Sequence, residues 1–454
     1  MDKDLISIQE ARECVRRAKA AGEALARMEQ GELDKLVAAV ARVGKDHARL
    51  LAQEAVEETG FGILEHKVIK NLFAAERVFD AIKDQKVVGL LGKNEQEKTW
   101  DFGVPMGVVA ALVPSTNPTS TVLYKAMIAL KAGNPVVFSP HPNALCCIVH
   151  AAQLVAEAVE SAGGPKDAVM VLKEPTLEGT KELMSHRDTK LILATGGGGM
   201  VRAAYSSGTP AIGVGAGNGP AYFHGSCDLE RSVKQVLDSK TFDNGTICAS
   251  EQSVVVTADF APKVRAEFER QGGYFLSKDQ RDALAGFVLR GNGTMNPAIV
   301  GKSVAELCRL SGLKGVPEGT RVLLVPEEGV GKGYPFSNEK LGLMLAYYVE
   351  QDEQKALERC VEILRHEGAG HTFAIHAKDD RVVERFARAV PASRVLVNTH
   401  AAWGGIGATT NLFRALTLGC GAVGGSSTSN NIGPLDLVNI KRVAWGVREL
   451  EELK

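Results

Sequence analysis

Cys248 is the residue of this 454-residue sequence whose setting best suits covalent chemistry. It lies in the segment FDNGTICASEQSVVV, where small and polar residues precede a β-branched run that predicts a strand. Backbone N–H groups in an accessible turn of this kind can stabilise a thiolate and an oxyanion, so Cys248 is a candidate nucleophile. The alternative is that Cys248 only packs as a small apolar side chain, the usual role of a cysteine.

Two glycine-rich segments indicate places where the backbone can approach a phosphate or a flat ring. TGGGGMVRAA begins at Thr195, follows the apolar run KLILA and opens a predicted helix, so its N–H groups can face an anion. Its run of consecutive glycines departs from the GxGxxG spacing, and a flexible loop is the alternative interpretation. The second segment, GVGAGNGP, also follows a predicted strand.

A few other polar residues lie where a site could form. Asn117, in PSTNP, ends the predicted strand GVVAALV, where an amide N–H can point into a ligand crevice. His371 and His400 lie at strand boundaries, and a structural role is the alternative for each. Lys125 and His66 fall in predicted helices, and we expect both at the helix surface.

The composition excludes several classes of function. Lys plus Arg (53) nearly balance Asp plus Glu (54), so no basic stripe predicts a nucleic-acid partner. The eight cysteines show no CxxC and no metal-ligand spacing, so we expect no metal, no disulfide framework and a cytoplasmic protein. No apolar run reaches the roughly 18 residues of a membrane span, and the N-terminus does not resemble a secretory signal.

The order of predicted elements favours an α/β fold class. Residues 1–85 read as amphipathic helices, and from residue 107 strands and helices alternate, which predicts a doubly wound parallel sheet. We expect a cofactor-binding domain over 1–224, a catalytic domain over 225–435, and a C-terminal strand and tail over 436–454. Residues 87–104 would form a projecting hairpin, and the tail strand could pair with a sheet edge of another subunit.

These segments together resemble a known family. PSTNP, TGGGG, GVGAGNGP, FDNGTICASEQ, FSNEKL and GHTFAIH occur in the order and at the spacing of the aldehyde dehydrogenase superfamily. With the closing LTLGCGAVGGSSTSNNIGPLDLVNIKRVA, they are most similar to its CoA-acylating branch, which includes the aldehyde dehydrogenase half of bifunctional aldehyde/alcohol dehydrogenases. The resemblance covers essentially the whole chain. It implies two doubly wound α/β domains, an oligomerisation hairpin with a tail strand, and a homodimer or homotetramer.

The resemblance also implies a role for each matching residue. Cys248 would attack the aldehyde carbonyl, and Asn117 with the Cys248 backbone N–H would hold the oxyanion. Hydride would pass to NAD, or to NADP, and leave a thioester on Cys248. The residues implied for cofactor binding are Pro114, Ser115, Ser139, Thr195, Gly196, Gly197, Gly199, Val214, Gly215 and Glu339. Those implied for the substrate are His371, His400, Trp403 and Thr409.

Two departures from the hydrolytic members of the family concern the end of the reaction and the cofactor. Those members carry a water-activating glutamate 34 positions before the nucleophile, where this chain has Val214. An aliphatic side chain cannot act as a base, so the thioester is expected to wait for the thiol of coenzyme A. Hydrolytic members also contact the adenosine ribose with a lysine and a glutamate; Ser139 and Pro142 stand there, which admits NADP beside NAD.

The resemblance therefore predicts that the protein interconverts a short-chain aldehyde, coenzyme A and NAD(P)⁺ with an acyl-CoA and NAD(P)H. Two alternatives stay open: a hydrolytic aldehyde dehydrogenase that uses another base, and a cysteine acyltransferase without a redox step. A catalytically silent homologue is disfavoured because Cys248, Asn117 and Glu339 are present together. Acetaldehyde, propionaldehyde, succinic semialdehyde and sulfoacetaldehyde all fit as substrates.

Overall fold

The computed structural model describes residues 2–290 and 294–450. The chain begins with helices that pack around the helices of the first sheet, and their apolar residues join two buried clusters with it. These helices are α1 (Lys3–Leu25), α2 (Gln30–Asp46), α3 (Ala48–Thr59), α4 (Leu64–Leu72) and α5 (Phe79–Ile82), with a π-helical turn at Phe73–Val78 between the last two. A hairpin follows, formed by β1 (Gly89–Asn94) and β2 (Thr99–Pro105).

The alternating segment that follows builds a parallel five-stranded sheet. Its elements are β3 (Val108–Val113), α6 (Pro118–Lys131), β4 (Val136–Pro140), α7 (Leu145–Ser161), β5 (Val169–Val171), α8 (Leu177–Ser185), β6 (Thr189–Thr195), α9 (Gly198–Tyr205) and β7 (Ala211–Val214). The strand order is β5-β4-β3-β6-β7. Every residue of β3 is buried, as expected for a parallel strand covered by helices on both faces.

A second parallel sheet has seven strands in the order β10-β11-β12-β9-β8-β13-β14. Its first elements are β8 (Pro220–Phe223), α10 (Leu229–Thr241), β9 (Ser253–Thr257), α11 (Ala261–Arg270), β10 (Gly273–Phe275), α12 (Lys278–Val288) and α13 (Val304–Ser311). Its later elements are β11 (Val322–Pro326), β12 (Met344–Glu350), α14 (Glu353–His366), β13 (Gly370–His376), α15 (Asp380–Ala389), β14 (Ala392–Val397) and α16 (Ala401–Gly405).

The third sheet is antiparallel and contains the tail. Strand β15 (Val438–Ala444) pairs with β2 of the same chain, so the sheet order is β1-β2-β15. The sequence suggested that this strand could pair with another subunit. In the structure, one edge of the strand pairs with the hairpin of its own chain. The opposite edge of β15 ends the sheet.

The α/β class, the parallel sheets and the hairpin are confirmed, whereas several single elements were missed. The sequence did not indicate β8, β10 or β12, which are short or lack clear alternation. The domain boundaries after residues 224 and 435 stay predictions, although β8 already belongs to the seven-stranded sheet.

One helix of the described chain, Pro142–Ser161, is long and apolar enough to cross a membrane by length and composition alone. A buried helix of a protein core meets the same criteria. The buried face of this helix, which includes Cys147, Ile148, Ala151 and Val155, packs in the cluster around the five-stranded sheet.

Candidate active site

The order of the five-stranded sheet creates a crevice. The chain builds β3, β4 and β5 towards one side and then returns to place β6 on the other side of β3. The loops after β3 and β6 therefore leave the sheet in opposite directions, and ligands of open parallel sheets bind at such a point. A cleft of about 520 Å³ lies there, lined by residues 114–117 after β3 and residues 195–199 after β6.

The cleft brings together most of the residues that the sequence singled out. It is lined by Pro114, Ser115, Asn117, Ser139, Thr195, Gly196, Gly197, Gly199, Val214, Gly215, Cys248 and Glu339. Sequence reasoning missed other lining residues, among them Thr116, His141, Thr176, Thr180, Met200 and Leu341. Thr116, His141 and Thr176 follow the carboxyl ends of β3, β4 and β5, so the rule that located Asn117 could have located them as well.

The glycine segment leaves open space where side chains would otherwise stand. A Cβ added at Gly197, Gly199 or Gly215 would meet no atom within 4 Å. Helix α9 begins at Gly198, so its first N–H groups lie at the cleft. This arrangement fits the phosphates and the flat rings of a dinucleotide such as NAD or NADP.

The part of the cleft around Ser139 and Pro142 is poor in charge. The Ser139 hydroxyl lies 2.9 Å from that of Thr180, and Pro142 is exposed beside them. Glu339 is the one acidic residue among the described residues that line the cleft. Among the described residues that line the cleft beside Pro142, none is a carboxylate that could repel a 2′-phosphate.

Cys248 is held in a loop between helix α10 and strand β9. It is partly exposed, whereas Thr246, Ile247, Ala249 and Ser250 are buried. The expected accessible turn is thus a buried loop in which Cys248 alone is partly exposed. Burial raises the pKa of the Cys248 thiol to about 12, and the nearby Glu339 carboxyl adds to the effect. The thiol is therefore protonated at neutral pH in the protein alone.

The residues before Cys248 have an uncommon backbone conformation. Asp243, Asn244 and Gly245 have φ values of 49°, 52° and 77°, in the left-handed region that non-glycine residues avoid. Hydrogen bonds hold the turn in place: Asn244 Nδ2 donates to the Gly301 carbonyl at 2.9 Å, and the Asp243 carboxylate accepts the backbone N–H of Ile63 at 2.8 Å. The turn presents Cys248 at the cleft.

Asn117 lies at the N-terminus of α6, with Pro118 in the first helical position. Its side chain caps no helical N–H. Instead, Oδ1 accepts a hydrogen bond of 2.6 Å from the Lys70 ammonium, and Nδ2 lies 3.3 Å from the Thr246 carbonyl oxygen. The amide N–H group is thus directed towards the loop of Cys248.

Glu339 and Val214 also line the cleft. Glu339 Oε1 accepts the Gly217 backbone N–H at 2.9 Å, and burial, with Glu367 nearby, raises the pKa of Glu339 to about 8. Its carboxyl group is mostly protonated at neutral pH. Val214 ends β7 and is buried at the cleft wall, so an aliphatic side chain occupies that position.

The four residues predicted for the substrate do not line this cleft. His371 is fully buried on β13, and burial, with Arg394 nearby, lowers its pKa to about 3. His400 precedes α16, with Asp238, Lys234 and Arg231 of α10 as its charged neighbours. Thr409 is exposed and lies 2.7 Å from the Thr399 hydroxyl.

Trp403 is the member of that group with a contact to the nucleophile loop. Its ring centroid lies 4.2 Å from that of Phe242, which in turn stacks on His66 at 4.7 Å. His66 is only partly exposed, and its Nδ1 accepts the Asp243 backbone N–H at 2.8 Å.

Lys125 is fully buried, and its ammonium donates hydrogen bonds to the carbonyls of Leu112 and Leu193. The expectation that Lys125 lies at the surface was wrong.

Comparisons with known proteins agree with this geometry. Residues 4–279 match the sequence model of the aldehyde dehydrogenase family. The bifunctional aldehyde-alcohol dehydrogenase AdhE of Escherichia coli (strain K12) is 43% identical over 443 residues, 96% of this chain and 50% of that protein. The chain thus spans about half the length of that curated relative.

Two crystal structures are similar along almost the whole chain. A probable aldehyde dehydrogenase from Listeria monocytogenes EGD-e has a TM-score of 0.98 and 55% identity, covering 100% of both chains. An acetylating aldehyde dehydrogenase from Geobacillus thermoglucosidasius has a TM-score of 0.96 and 48% identity, covering 99% of both chains. Sequence match, fold and cleft agree, and the chain belongs to the aldehyde dehydrogenase family.

Proposed function

We propose that the protein is a CoA-acylating aldehyde dehydrogenase that interconverts a short-chain aldehyde, coenzyme A and NAD(P)⁺ with an acyl-CoA and NAD(P)H. The observation that carries the proposal is the meeting of Cys248, Asn117 and Val214 in one cleft beside the glycine segment. A nucleophile, an amide donor and a dinucleotide cradle are present, and an aliphatic side chain stands in place of a water-activating base. The acetylating relative from Geobacillus supports this assignment.

In the proposed reaction the Cys248 sulfur bonds to the aldehyde carbon and the thiol proton is released. The carbonyl oxygen becomes an oxyanion, which the Asn117 amide and the Cys248 backbone N–H stabilise. Bound NAD(P)⁺ supplies the acceptor for the hydride that leaves this carbon. The resulting thioester is exchanged when the sulfur of coenzyme A bonds to the acyl carbon and Cys248 leaves as thiolate.

The structure favours this reaction over hydrolysis. A hydrolytic enzyme needs a base at the thioester, and Glu339 is the one carboxyl among the described residues that line the cleft. One of its carboxyl oxygens accepts the Gly217 backbone N–H at 2.9 Å, which ties this group to the loop after β7 rather than to Cys248. The dinucleotide-like cradle at Gly197 and Gly199 likewise favours a redox enzyme over a simple acyltransferase.

The reaction class is tested by following NADH with propionaldehyde and NAD⁺, with and without coenzyme A. Without coenzyme A, we expect a burst of about one NADH per active site, because the thioester is not hydrolysed. With coenzyme A, turnover becomes continuous and propionyl-CoA accumulates. Cys248→Ala should lose both phases, while Cys308→Ala, a change at a partly buried cysteine outside the cleft, should keep them. Continuous NADH formation with free acid as product would refute the CoA-dependent reaction, and no absorbance change with any of the four candidate aldehydes and either NAD⁺ or NADP⁺ would refute the redox step.

The raised thiol pKa predicts how Cys248 reacts in the protein without cofactor. The thiolate is the reactive form, and its fraction rises about tenfold per pH unit below the pKa. Since that pKa is about 12, alkylation of Cys248 by iodoacetamide should accelerate from about pH 7 to about pH 10 without levelling off. Peptide mass spectrometry measures the rate, with glutathione as a reference thiol that levels off near its own pKa. A plateau below about pH 8 would show that Cys248 is already a thiolate.

The uncharged part of the cleft around Ser139 and Pro142 predicts that both NAD and NADP are accepted. Pro142→Glu places a carboxylate at the exposed position where hydrolytic relatives carry one, and we expect kcat/KM for NADP to fall about tenfold from repulsion of the 2′-phosphate. The value for NAD should change little. Pro142→Gln has a similar size without charge and should retain NADP. An equal loss with both variants would show that charge at this position does not select the cofactor.

We also propose that the β1-β2-β15 sheet takes part in a homo-oligomer. Strand β15 leaves one edge unpaired in this chain and exposes Ile440, 48% accessible, with Trp445, 45% accessible, just after it. Sedimentation equilibrium should give a dimer or tetramer, and Ile440→Asp should shift it towards a lower mass. Lys441→Ala, at the adjacent exposed position, is the control. A monomeric wild-type protein would refute the proposal.

A further inference from the structure

The Lys70 ammonium donates hydrogen bonds to Asn117 and to two residues of the loop that precedes Cys248. Its Nζ donates to Asn117 Oδ1 at 2.6 Å, to the Thr246 hydroxyl at 2.9 Å and to the Asp243 carboxylate. An ammonium group carries three hydrogens, so these three acceptors use all of them. The orientation of the group is therefore determined, and one of its hydrogens is aimed at the amide oxygen of Asn117.

The pocket behind Asn117 carries one more positive charge than negative. Asp243 Oδ2 accepts from both Lys67 and Lys70, and all three side chains are almost completely buried. Although burial opposes ionisation of Asp243, the two lysines lower its pKa to about 2. Burial lowers the pKa of Lys70 to about 8, so Lys70 is largely charged at neutral pH. His66, the other titratable group on this face of α4, accepts an N–H and has a pKa lowered by burial, so it is neutral.

The ammonium has two effects on the amide. It selects one of the two amide orientations, because the flipped amide would place its NH₂ group against Nζ. It also draws electron density towards Oδ1, which makes the Nδ2 hydrogens better donors, as hydrogen bonds to a charged partner do. Nδ2 has only modest partners, the Thr116 hydroxyl at 3.0 Å and the Thr246 carbonyl at 3.3 Å. It can exchange these for a stronger acceptor that forms at Cys248.

We propose that Lys70 is a positioning residue for the reaction: its ammonium orients and polarises the Asn117 amide so that Nδ2 stabilises the oxyanion formed at Cys248. The inference rests on the proposed function, because it needs that oxyanion. It adds a residue of α4 that touches neither substrate nor cofactor and acts only through Asn117.

Lys67 provides a matched control. It lies one helical turn before Lys70 on α4 and shares the same Asp243 oxygen, at 3.0 Å. Its other partner is the Thr116 carbonyl at 3.1 Å, and it makes no hydrogen bond to Asn117. Removing either lysine therefore takes one charge from the pocket, but only loss of Lys70 releases the amide.

The test is a double-mutant cycle on the steady-state reduction of an acyl-CoA by NADH. Asn117→Ala should lower kcat about a hundredfold or more, the usual effect of losing one oxyanion donor. Lys70→Met alone should lower kcat at least about tenfold with little change in KM, and in the Asn117→Ala background it should cost less than about twofold. Lys67→Met should cost the same factor with and without Asn117. An equal loss from Lys70→Met in both backgrounds, or no loss in either, would overturn the inference.

Lys70→Gln covers the case in which Lys70→Met does not fold, as judged by thermal melting and NADH binding. Glutamine keeps a hydrogen-bond donor for Asn117 Oδ1 but lacks the positive charge. The double-mutant cycle is then measured with Lys70→Gln in place of Lys70→Met. Failure of this inference is distinct from failure of the proposed function. A wild-type protein without CoA-dependent turnover, or an active Cys248→Ala variant, would refute the function. A Lys70 variant with wild-type kcat would refute only the role of Lys70.

Discussion

The buried carboxylate of Asp243 is the group on which the geometry of the site depends. It stands in a turn where two adjacent non-glycine residues, Asp243 and Asn244, adopt left-handed backbone conformations. Each such residue costs about 1–2 kcal/mol. The Asp243 carboxylate pairs with Lys67 and Lys70 and accepts the Ile63 backbone N–H, and these contacts tie the turn to α4 and to the residue before it. Lys70 also donates to Asn117 Oδ1, so the nucleophile loop and the Asn117 amide are fixed relative to each other.

The site joins opposite ends of the two parallel sheets. At the carboxyl edge of the five-stranded sheet, the loop after β3 carries Asn117, the loop after β6 forms the glycine cradle, and β7 ends in Val214. Cys248 comes from the loop that enters β9 of the seven-stranded sheet. That loop is tied at its end, where the Gln252 backbone N–H donates to the Gly219 carbonyl at 2.8 Å. Val214, at the end of β7, lines the same cleft as Cys248.

The sequence predicted the parts of this arrangement that depend on local pattern. Strand β3 is apolar along its length and leads into the loop of Asn117, and β6 is apolar over residues 191–194 and leads into the glycine segment, so both the sheet and the loops that line the cleft could be predicted. The roles of Lys67, Lys70 and Lys125 could not, because a lysine in a helix is normally at the surface. Their burial follows from tertiary contacts with carbonyls and with Asp243, which lies more than 170 positions away from Lys67 and Lys70 in the sequence.

The resemblance to a family carried information that pattern alone did not. It singled out Glu339 and Val214, which lie far apart in sequence yet line the same cleft. The residues that it implied for the substrate, His371, His400, Trp403 and Thr409, lie outside this cleft, and their role stays a prediction. His400, Trp403 and Thr409 follow β14, whereas His371 lies on β13. Of the four, Trp403 contacts the nucleophile loop, through Phe242.

The central claim is that an acyl group on Cys248 is released to a thiol and not to water. The most direct measurement is to load the protein with propionyl-CoA in the absence of NADH, remove free coenzyme A by rapid desalting, and follow the intact mass. The account predicts a mass gain of one propionyl group located on Cys248, stable in buffer at neutral pH and lost promptly when coenzyme A is added. Rapid loss of the acyl group in buffer alone, with propionate released, would contradict it.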